Sequence, residues 1–136
     1  MAYWLLKSDP EAYGFADLAR DRTTTWDGVS NHLALQHLRK VRKGDQVLVY
    51  HSGREKQIVG LATAVSDGYA APSAEDARLV VFDLEAVRRL ERPVPLAAVK
   101  ADPHFEDFEL VRMSRLSVMP VPPALWKRLL EMAGEP

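Results

Sequence analysis

The apolar residues of this chain fall in short β-favouring segments, and most of these segments end at glycine or proline turns. Residues 3–7 stop at Ser8-Asp9-Pro10, and residues 46–51 are joined through a Ser52-Gly53 turn to residues 58–65, as in a hairpin. Because the strands do not alternate regularly with long helices, a doubly wound parallel sheet is disfavoured. The pattern predicts a compact mixed α/β pseudobarrel of about five or six mostly antiparallel strands, with short helices around it.

The remaining segments complete this outline. Residues 23–26 are β-favouring, residues 79–90 read as a long strand, and residues 116–121 as a last strand, with a loop at 67–76. Ser30 or Asn31 can cap a helix that runs to about Lys40, and a proline pair opens a closing helix over 124–132. Gly60, inside a strand, predicts a bulge or a close approach of another group to the backbone.

Length and composition restrict the function. A chain of 136 residues predicts one domain, 1–136, and its 47% hydrophobic residues suffice for one core. The absence of cysteine removes disulfides and thiolate chemistry. No apolar stretch predicts a membrane span and no signal-peptide pattern is present, so we expect no membrane partner and a cytoplasmic location. A net charge of −1 argues against strong non-specific coating of DNA.

Catalytic signatures are missing from the sequence. There is no glycine-rich phosphate loop and no nucleophile elbow. His32 and His37 are five residues apart, which separates them by about 140° around a helix and disfavours a metal site. His51 and Ser52 are adjacent, so on a strand they point to opposite faces and cannot form a nucleophile–base pair. The sequence therefore predicts no enzyme, no metal and no cofactor.

Aromatic and small polar residues gather at the ends of the predicted elements. A pocket for a flat base needs an aromatic wall for stacking and fixed donors and acceptors for the base edge. The candidates are Ser8, Trp26, Asn31, Tyr50, His51 and Ser52. Each has a structural alternative: Trp26 as core, Asn31 as a helix cap and Ser52 as a turn residue. Trp4 and Trp126 lie among aliphatic residues and are predicted core.

Five segments in register resemble the EVE-domain family. Residues 3–10, YWLLKSDP, resemble its Y-W-L-x-K-[ST]-[ED]-P opening, and residues 26–31, WDGVSN, resemble W-x-G-V-R-N. Residues 43–45 followed by Tyr50-His51-Ser52 resemble its K-x-G-D and F-Y-H-S block, and residues 58–60 its I-V-G. Residues 115–121, RLSVMPV, resemble R-L-S-V-Q-P-V. The resemblance covers essentially the whole chain.

The resemblance implies a PUA-like pseudobarrel and a non-catalytic nucleic-acid-binding module. It favours a reader of modified bases, methylated cytosine derivatives above all, with modified DNA a more natural partner than RNA. By position the implied pocket draws on Trp26, Asn31, Tyr50, His51 and Ser52, with Lys7 and Ser8 nearby. In this hypothesis Trp26 stacks on the base, Asn31 or Ser52 holds its edge, and Lys7 and Arg115 steer or hold a phosphate.

The sequence also departs from the family pattern. Ser30 stands where the family often has arginine, Leu33 and Leu35 fall in a segment that is commonly more polar, and Met119 replaces the usual glutamine. These changes are expected to remove polar groups from the pocket. Two alternatives stay open: a protein-interaction or stress-related module with a vestigial pocket, and an enzyme acting on a small nucleotide, for which His51 is the acid–base candidate.

Overall fold

A computed structural model describes residues 1–72 and 78–135 of the chain. The strands are β1 (Tyr3–Ser8), β2 (Thr23–Trp26), β3 (Gln46–His51), β4 (Gln57–Ala64), β5 (Tyr69–Ala70), β6 (Val80–Pro95) and β7 (Val118–Pro120). The α-helices are α1 (Pro10–Tyr13), α2 (Phe15–Asp21), α3 (His32–Leu38), α4 (Leu96–Ala101), α5 (Glu109–Arg112) and α6 (Pro123–Met132). A 3₁₀ turn covers Pro103–Phe105.

Within the described residues the strands form one seven-stranded sheet in the order β2-β6-β4-β3-β1-β7, with β5 beside β6. Only β1 and β3 pair in parallel; the other pairings are antiparallel. The mixed α/β, mostly antiparallel prediction is therefore confirmed. The parallel pair matters for the site, because parallel strands bring their carboxyl ends to the same edge of a sheet.

The strand pairing is irregular at Gly60. The β3–β4 register shifts between Val49 and Tyr50, and the β4–β6 register shifts between Ile58 and Gly60. A Cβ at Gly60 would lie 2.3 Å from Cε2 of Phe15, so the ring of Phe15 packs directly on the glycine backbone. Both the predicted irregularity and the predicted close approach are confirmed. A bulge of this kind increases the twist of a strand and helps a sheet to curl.

Two features of the chain differ from the sequence prediction. The long strand β6 extends to Pro95, past the charged segment at which the prediction stopped. Its charged half is mostly exposed, but Leu90 and Val94 are buried within it, so the strand continues where the apolar run has ended. Within the predicted 67–76 loop, Tyr69 and Ala70 pair with β6, and residues 73–76 lie outside the described residues.

Aromatic side chains close the core. Trp4 is 3% exposed and Trp126 is 4% exposed, which confirms both as core residues. Phe105 and Phe108 are also buried, with ring centroids 5.9 Å apart. Trp126 stacks on Tyr3 with centroids 4.5 Å apart, so the closing helix α6 is held against the first strand.

The buried carboxylate of Asp45 organises the start of the sheet. Its Oδ2 accepts hydrogen bonds from the Trp4 indole N–H and the Arg42 backbone N–H, both at 2.9 Å, and Oδ1 accepts from Ala2 N–H at 3.0 Å. The turn before β3 and the first strand thus share one acceptor. Buried carboxylates need such a set of donors, which explains an aspartate directly after the Lys43-Gly44 turn.

Candidate functional site

A cleft of about 430 Å³ opens between the two ends of the strand order. We call it the seam cleft; it is lined by Lys7, Ser8, Asp9, Ala12, Tyr13, Thr24, Thr25, Trp26, Asp27, Gly28, Val29 and Ser117. Strand β2 lies at one end of the order, and β1 lies next to β7 at the other. Residues from both ends line one cavity, so the sheet curls into a half-barrel that stays open along this seam.

The turn after β1 brings Tyr13 over the cleft. Asp9 caps α1, its Oδ1 accepting the Glu11 backbone N–H at 2.9 Å, and Pro10 occupies the first helical position, where its missing N–H costs nothing. One helical turn then folds the chain back, and the Ser8 hydroxyl donates a hydrogen bond to the Tyr13 carbonyl. Local capping therefore fixes an aromatic side chain beside the end of β1.

Tyr13 and Trp26 form the aromatic wall of the seam cleft. Their ring centroids are 6.4 Å apart and the planes are inclined by 79°, an edge-to-face pair. Trp26 is only partly buried, and its indole N–H has no hydrogen-bond partner among the described residues. The Tyr13 hydroxyl donates to Asp21 at 2.9 Å; burial, then this neighbouring carboxylate, raises the pKa of Tyr13. One face of the indole and its N–H are thus available to a ligand.

Lys7 supplies a half-buried cation in the seam cleft. Its Nζ donates to the Ser114 carbonyl at 2.9 Å and lies 5.7 Å from the centroid of the Tyr50 ring. Lys7 and Tyr50 are direct partners in the parallel β1–β3 pairing, which places their side chains on one face. Burial lowers the pKa of Lys7 and raises the pKa of Tyr50. Tyr50 does not line the cleft; its ring packs against the cation that does.

His51 and Ser52 are not among the residues that line the seam cleft, but both form hydrogen bonds to the segment that follows or ends β1. The Phe15 backbone N–H donates to His51 Nε2 at 2.9 Å, so the neutral ring carries its proton on Nδ1, which faces Glu55 Oε1 at 3.0 Å. This hydrogen bond is the main cause that lowers the pKa of Glu55. Ser52 donates its backbone N–H and its hydroxyl to the Ser8 carbonyl, at 2.9 and 3.3 Å. Direct ligand contact by either residue stays a prediction.

Asn31 and Arg115 line a second depression, which we call the flanking groove. It has a volume of about 360 Å³ and is lined by Asn31, Leu33, Arg112, Met113, Ser114, Arg115 and Leu116. Asn31 Oδ1 accepts the Ala34 backbone N–H at 3.0 Å, so Asn31 caps α3. Arg115 is exposed, and no carboxylate pairs with it in the described part of the chain. The structure thus places these two residues in a depression that Trp26 does not line.

The comparisons with known proteins agree on one family. The family model described as EVE domain matches residues 2–132. The chain belongs to the EVE-domain family. A solved structure of a protein from Rhodopseudomonas palustris is 39% identical, covers 98% of this chain and 94% of its own, and superposes with a TM-score of 0.92. The resemblance proposed from the motifs is therefore confirmed, and so is the fold.

Human thymocyte nuclear protein 1 is a more distant relative of this EVE domain. In sequence it is 30% identical over 126 residues, which cover 74% of this chain and 56% of the human protein. A crystal structure of the human protein in complex with 5-methylcytosine-containing DNA has a TM-score of 0.89, with 26% identity over 100% of this chain and 99% of that one. The YTH domain of Zygosaccharomyces rouxii MRB1, solved with N6-methyladenosine RNA, shares the fold alone, at 15% identity over 97% of this chain and 86% of that one, with a TM-score of 0.61.

The four departures from the family pattern lie outside the seam cleft. Leu35 and Met119 are buried in the core, and Met119 pairs with Leu5 in the β1–β7 ladder. Ser30 is exposed, and in sequence it lies between Val29 of the cleft and Asn31 of the groove. Leu33 lines the flanking groove. None of the four lines the seam cleft as the described residues define it. The expected loss of polar groups therefore concerns the groove more than the cleft.

Sequence reasoning missed several residues of the seam cleft, Tyr13 first among them. Thr24, Thr25, Asp27 and Ser117 also line it. The Asp-Pro start of α1 was the available signal, since a cap followed by proline at the first helical position predicts a helical turn that would carry Tyr13 back over β1. The threonines could not be found locally, because their exposure depends on β2 lying at the end of the sheet.

Two absences bear on the chemistry. Among the described residues no group of three or more His, Asp or Glu side chains is placed to hold a metal ion. In residues 1–72 and 78–135 no helix has the length and apolar character needed to span a bilayer.

Proposed function

We propose that this EVE domain is a non-catalytic nucleic-acid-binding module that reads a modified base, a methylated cytosine above all, in the seam cleft. The observation that carries the proposal is a cavity of about 430 Å³ that is lined by the partly buried Trp26, by Tyr13 beside it and by the half-buried Lys7. Aromatic faces of this kind stack on any base, while fixed polar groups choose among them. The human relative bound to 5-methylcytosine-containing DNA supports the choice of modification and of DNA over RNA.

The polar groups of the seam cleft suit a cytosine edge. Cytosine presents an amino donor and ring acceptors, so its recognition needs both an acceptor and a donor from the protein. Asp27 offers a carboxylate acceptor, and Lys7 and the Trp26 N–H offer donors. A methyl group at C5 would gain from the apolar Val29 and Ala12, which line the same cavity.

The charge distribution predicts that base contacts carry most of the affinity. The net charge is −1, and the acids Asp9 and Asp27 lie in the seam cleft beside Lys7. A protein that neutralises Z phosphates shows a salt slope of about −0.9Z on duplex DNA and about −0.7Z on single strands. We therefore expect a shallow slope, corresponding to roughly one or two phosphate contacts.

The geometry gives no support to a catalytic alternative. His51, the acid–base candidate, does not line the seam cleft, and both of its ring nitrogens are engaged by Phe15 and Glu55. The protein-interaction alternative requires a large exposed apolar patch. The described large apolar side chains with high exposure are Met1, Val87 and Met113, which lie on separate segments.

The test is a titration of fluorescently labelled oligonucleotides that carry cytosine or 5-methylcytosine at one position, followed by anisotropy. We expect tighter binding of the methylated strand, and we expect Trp26→Ala to weaken it by about 10- to 100-fold, the worth of one stacked base. Trp26→Phe should retain most of the affinity, because the aromatic face persists.

Trp126→Phe is the matched control, since this tryptophan is buried against Tyr3 and is not among the residues that line the cleft. It should leave the affinity unchanged. Equal binding of methylated and unmethylated strands by the wild-type protein would reject the reader function. Equal loss in Trp26→Ala and Trp126→Phe would show that the effect comes from stability and not from the cleft.

A further inference from the structure

The seam cleft and the flanking groove adjoin along one short segment. Ser117 lines the cleft, while Ser114, Arg115 and Leu116 line the groove. The hydrogen bond from Lys7 Nζ to the Ser114 carbonyl joins the cleft side chain to the groove backbone at 2.9 Å. On the other side, Val29 belongs to the cleft and Asn31 to the groove. Residues 29–31 and 114–117 therefore lie between two cavities of about 430 and 360 Å³, and we call them the partition.

The two cavities differ in chemistry in a way that suits two adjacent nucleotides. The cleft has the aromatic wall; the groove has a thioether and an aliphatic surface, because Met113 is 41% exposed and Leu33 is partly exposed. Arg115, with no carboxylate partner among the described residues, stands on the groove side of the partition. Arg112 lines the same groove, although it pairs with Asp107 at 3.0 Å. Lys7 lines one cavity and Arg115 the other, so a phosphate that connects two nucleotides across the partition would pass near both cations.

We infer that the recognised unit is a dinucleotide step rather than an isolated base. The inference rests on the proposed function: the seam cleft takes the modified base, and the flanking groove takes its neighbour in the same strand. The connecting phosphate lies at the partition between Lys7 and Arg115, and the neighbouring base packs on Met113 and Leu33. A soft, polarizable methionine accepts any base, so the neighbour adds affinity with little sequence preference.

The experiment compares three ligands by calorimetry or competition against a labelled strand. These are 5-methyl-deoxycytidine monophosphate, and two dinucleotides in which the methylated cytosine is the 5′ or the 3′ residue, with thymine as the neighbour. One dinucleotide should bind about tenfold more tightly than the mononucleotide, which corresponds to one additional stacked base, and the other should not. The preferred order identifies the direction in which the strand crosses the partition.

Variants locate the gain. Met113→Ala should reduce the dinucleotide advantage while leaving the mononucleotide affinity unchanged. Arg115→Gln should weaken every ligand whose phosphate reaches the partition, and the double variant should remove the dinucleotide advantage. Trp26→Ala should weaken all three ligands. Since Met113 and Arg115 are exposed, both variants should keep the wild-type thermal midpoint, which is measured first.

Each outcome decides a separate point. Equal affinity for mononucleotide and dinucleotides, with Trp26→Ala still weakening both, overturns the two-nucleotide inference and leaves the base-reading function intact. A dinucleotide advantage that survives the double variant also overturns it, because the neighbour then binds elsewhere. If Trp26→Ala binds all three ligands as tightly as the wild-type protein, the proposed function and this inference are overturned together.

Discussion

Two surface depressions of comparable size, the seam cleft and a second one, include residues of the α1–α2 segment. They differ in how many of their side chains already have a partner within the protein. The second, which we call the arginine depression, has a volume of about 540 Å³ and is lined by Phe15, Ala19, Arg22, Glu85, Ala86, Val87, Arg88 and Arg89. By charge alone it is the better nucleic-acid surface. Yet Arg88 pairs with Glu135, and Arg89 lies 5.7 Å over the Phe15 ring.

The seam cleft has less charge but more uncommitted recognition groups. The Trp26 indole N–H has no hydrogen-bond partner in the described chain, although the ring packs edge-to-face with Tyr13, and Lys7 is the lysine among the described lining residues. The comparison teaches that a count of basic residues measures neither where a ligand binds nor what it is. A guanidinium that already has a carboxylate or a ring must give up that contact before it binds a phosphate.

The largest effect expected is on stability, from Gly60→Ala. The added Cβ would lie 2.3 Å from Phe15, a ring fixed beneath Arg89, so we expect the free energy of unfolding to fall by about 3 kcal/mol, the upper part of the usual range for overpacking. Urea denaturation measures it. Gly14→Ala is the matched control, because its nearest contacts are at 3.4 Å. A similar midpoint shift in both variants would mean that Phe15 is not the obstacle.

Binding gives the second contrast, between an aromatic residue of the seam cleft and a cation of the arginine depression. Trp26→Ala should cost about 2 kcal/mol in affinity for a 5-methylcytosine strand, whereas Arg89→Gln should change the dissociation constant by less than about twofold. Anisotropy titration at fixed salt measures both. If Arg89→Gln is the more damaging variant, the ligand binds in the arginine depression and the contrast between the two regions is reversed.

Salt dependence tests the same contrast, with a smaller expected change in affinity. Arg115→Gln should reduce the affinity by about threefold at low salt and lower the slope of log K against log[salt] by about one unit, as loss of one phosphate contact does. Arg22→Gln, on the rim of the arginine depression, serves as the control and should leave the slope unchanged. Equal slopes for the two variants would remove Arg115 from the phosphate path.

The smallest effect concerns acid. The backbone N–H of Glu91 and the guanidinium of Arg88 lower the pKa of Glu135. A carboxyl group whose pKa is lower in the folded state contributes stability above its unfolded pKa, and this contribution is lost as the pH falls through the folded value. Glu135→Gln should therefore lower the thermal midpoint at pH 7 and make it less sensitive to acidification below about pH 4.5. Parallel midpoint–pH curves for the two proteins would contradict this assignment.

The sequence predicts the elements of the sheet better than their arrangement. Apolar runs and turn residues located β1, β3, β4 and the closing helix, because periodicity and punctuation are local properties. The parallel β1–β3 pairing depends on a partner more than forty residues along the chain, which no local pattern reports, and β5 has only two residues, too few for a periodic pattern. The end of β6 was missed because its outer half is charged on an exposed face.

The site was predictable to a similar degree. Lys7, Ser8 and Trp26, which the family resemblance assigned to the implied pocket or its surroundings, line the seam cleft; that they bind a ligand there stays a prediction. Tyr50 and His51 pair in register with Lys7 and Ser8, Ser52 bonds to the Ser8 carbonyl, and Asn31 and Arg115 line the neighbouring groove. Some motif residues do not line the cleft, because they form hydrogen bonds that hold the backbone around it. Which of them contact nucleic acid stays a prediction for the variants above.

The position of β1 has a consequence for how the chain assembles during synthesis. The first strand lies between β3 and β7, so one of its edges stays unpaired until residues 118–120 have been made. Lys7 N–H likewise waits for the Ser117 carbonyl, at 2.9 Å. Pairings over such sequence distances slow folding, typically to milliseconds or seconds. We therefore expect a nascent chain that ends before β7 to expose an adhesive strand edge, and the seam cleft to be the last part of the molecule to take shape.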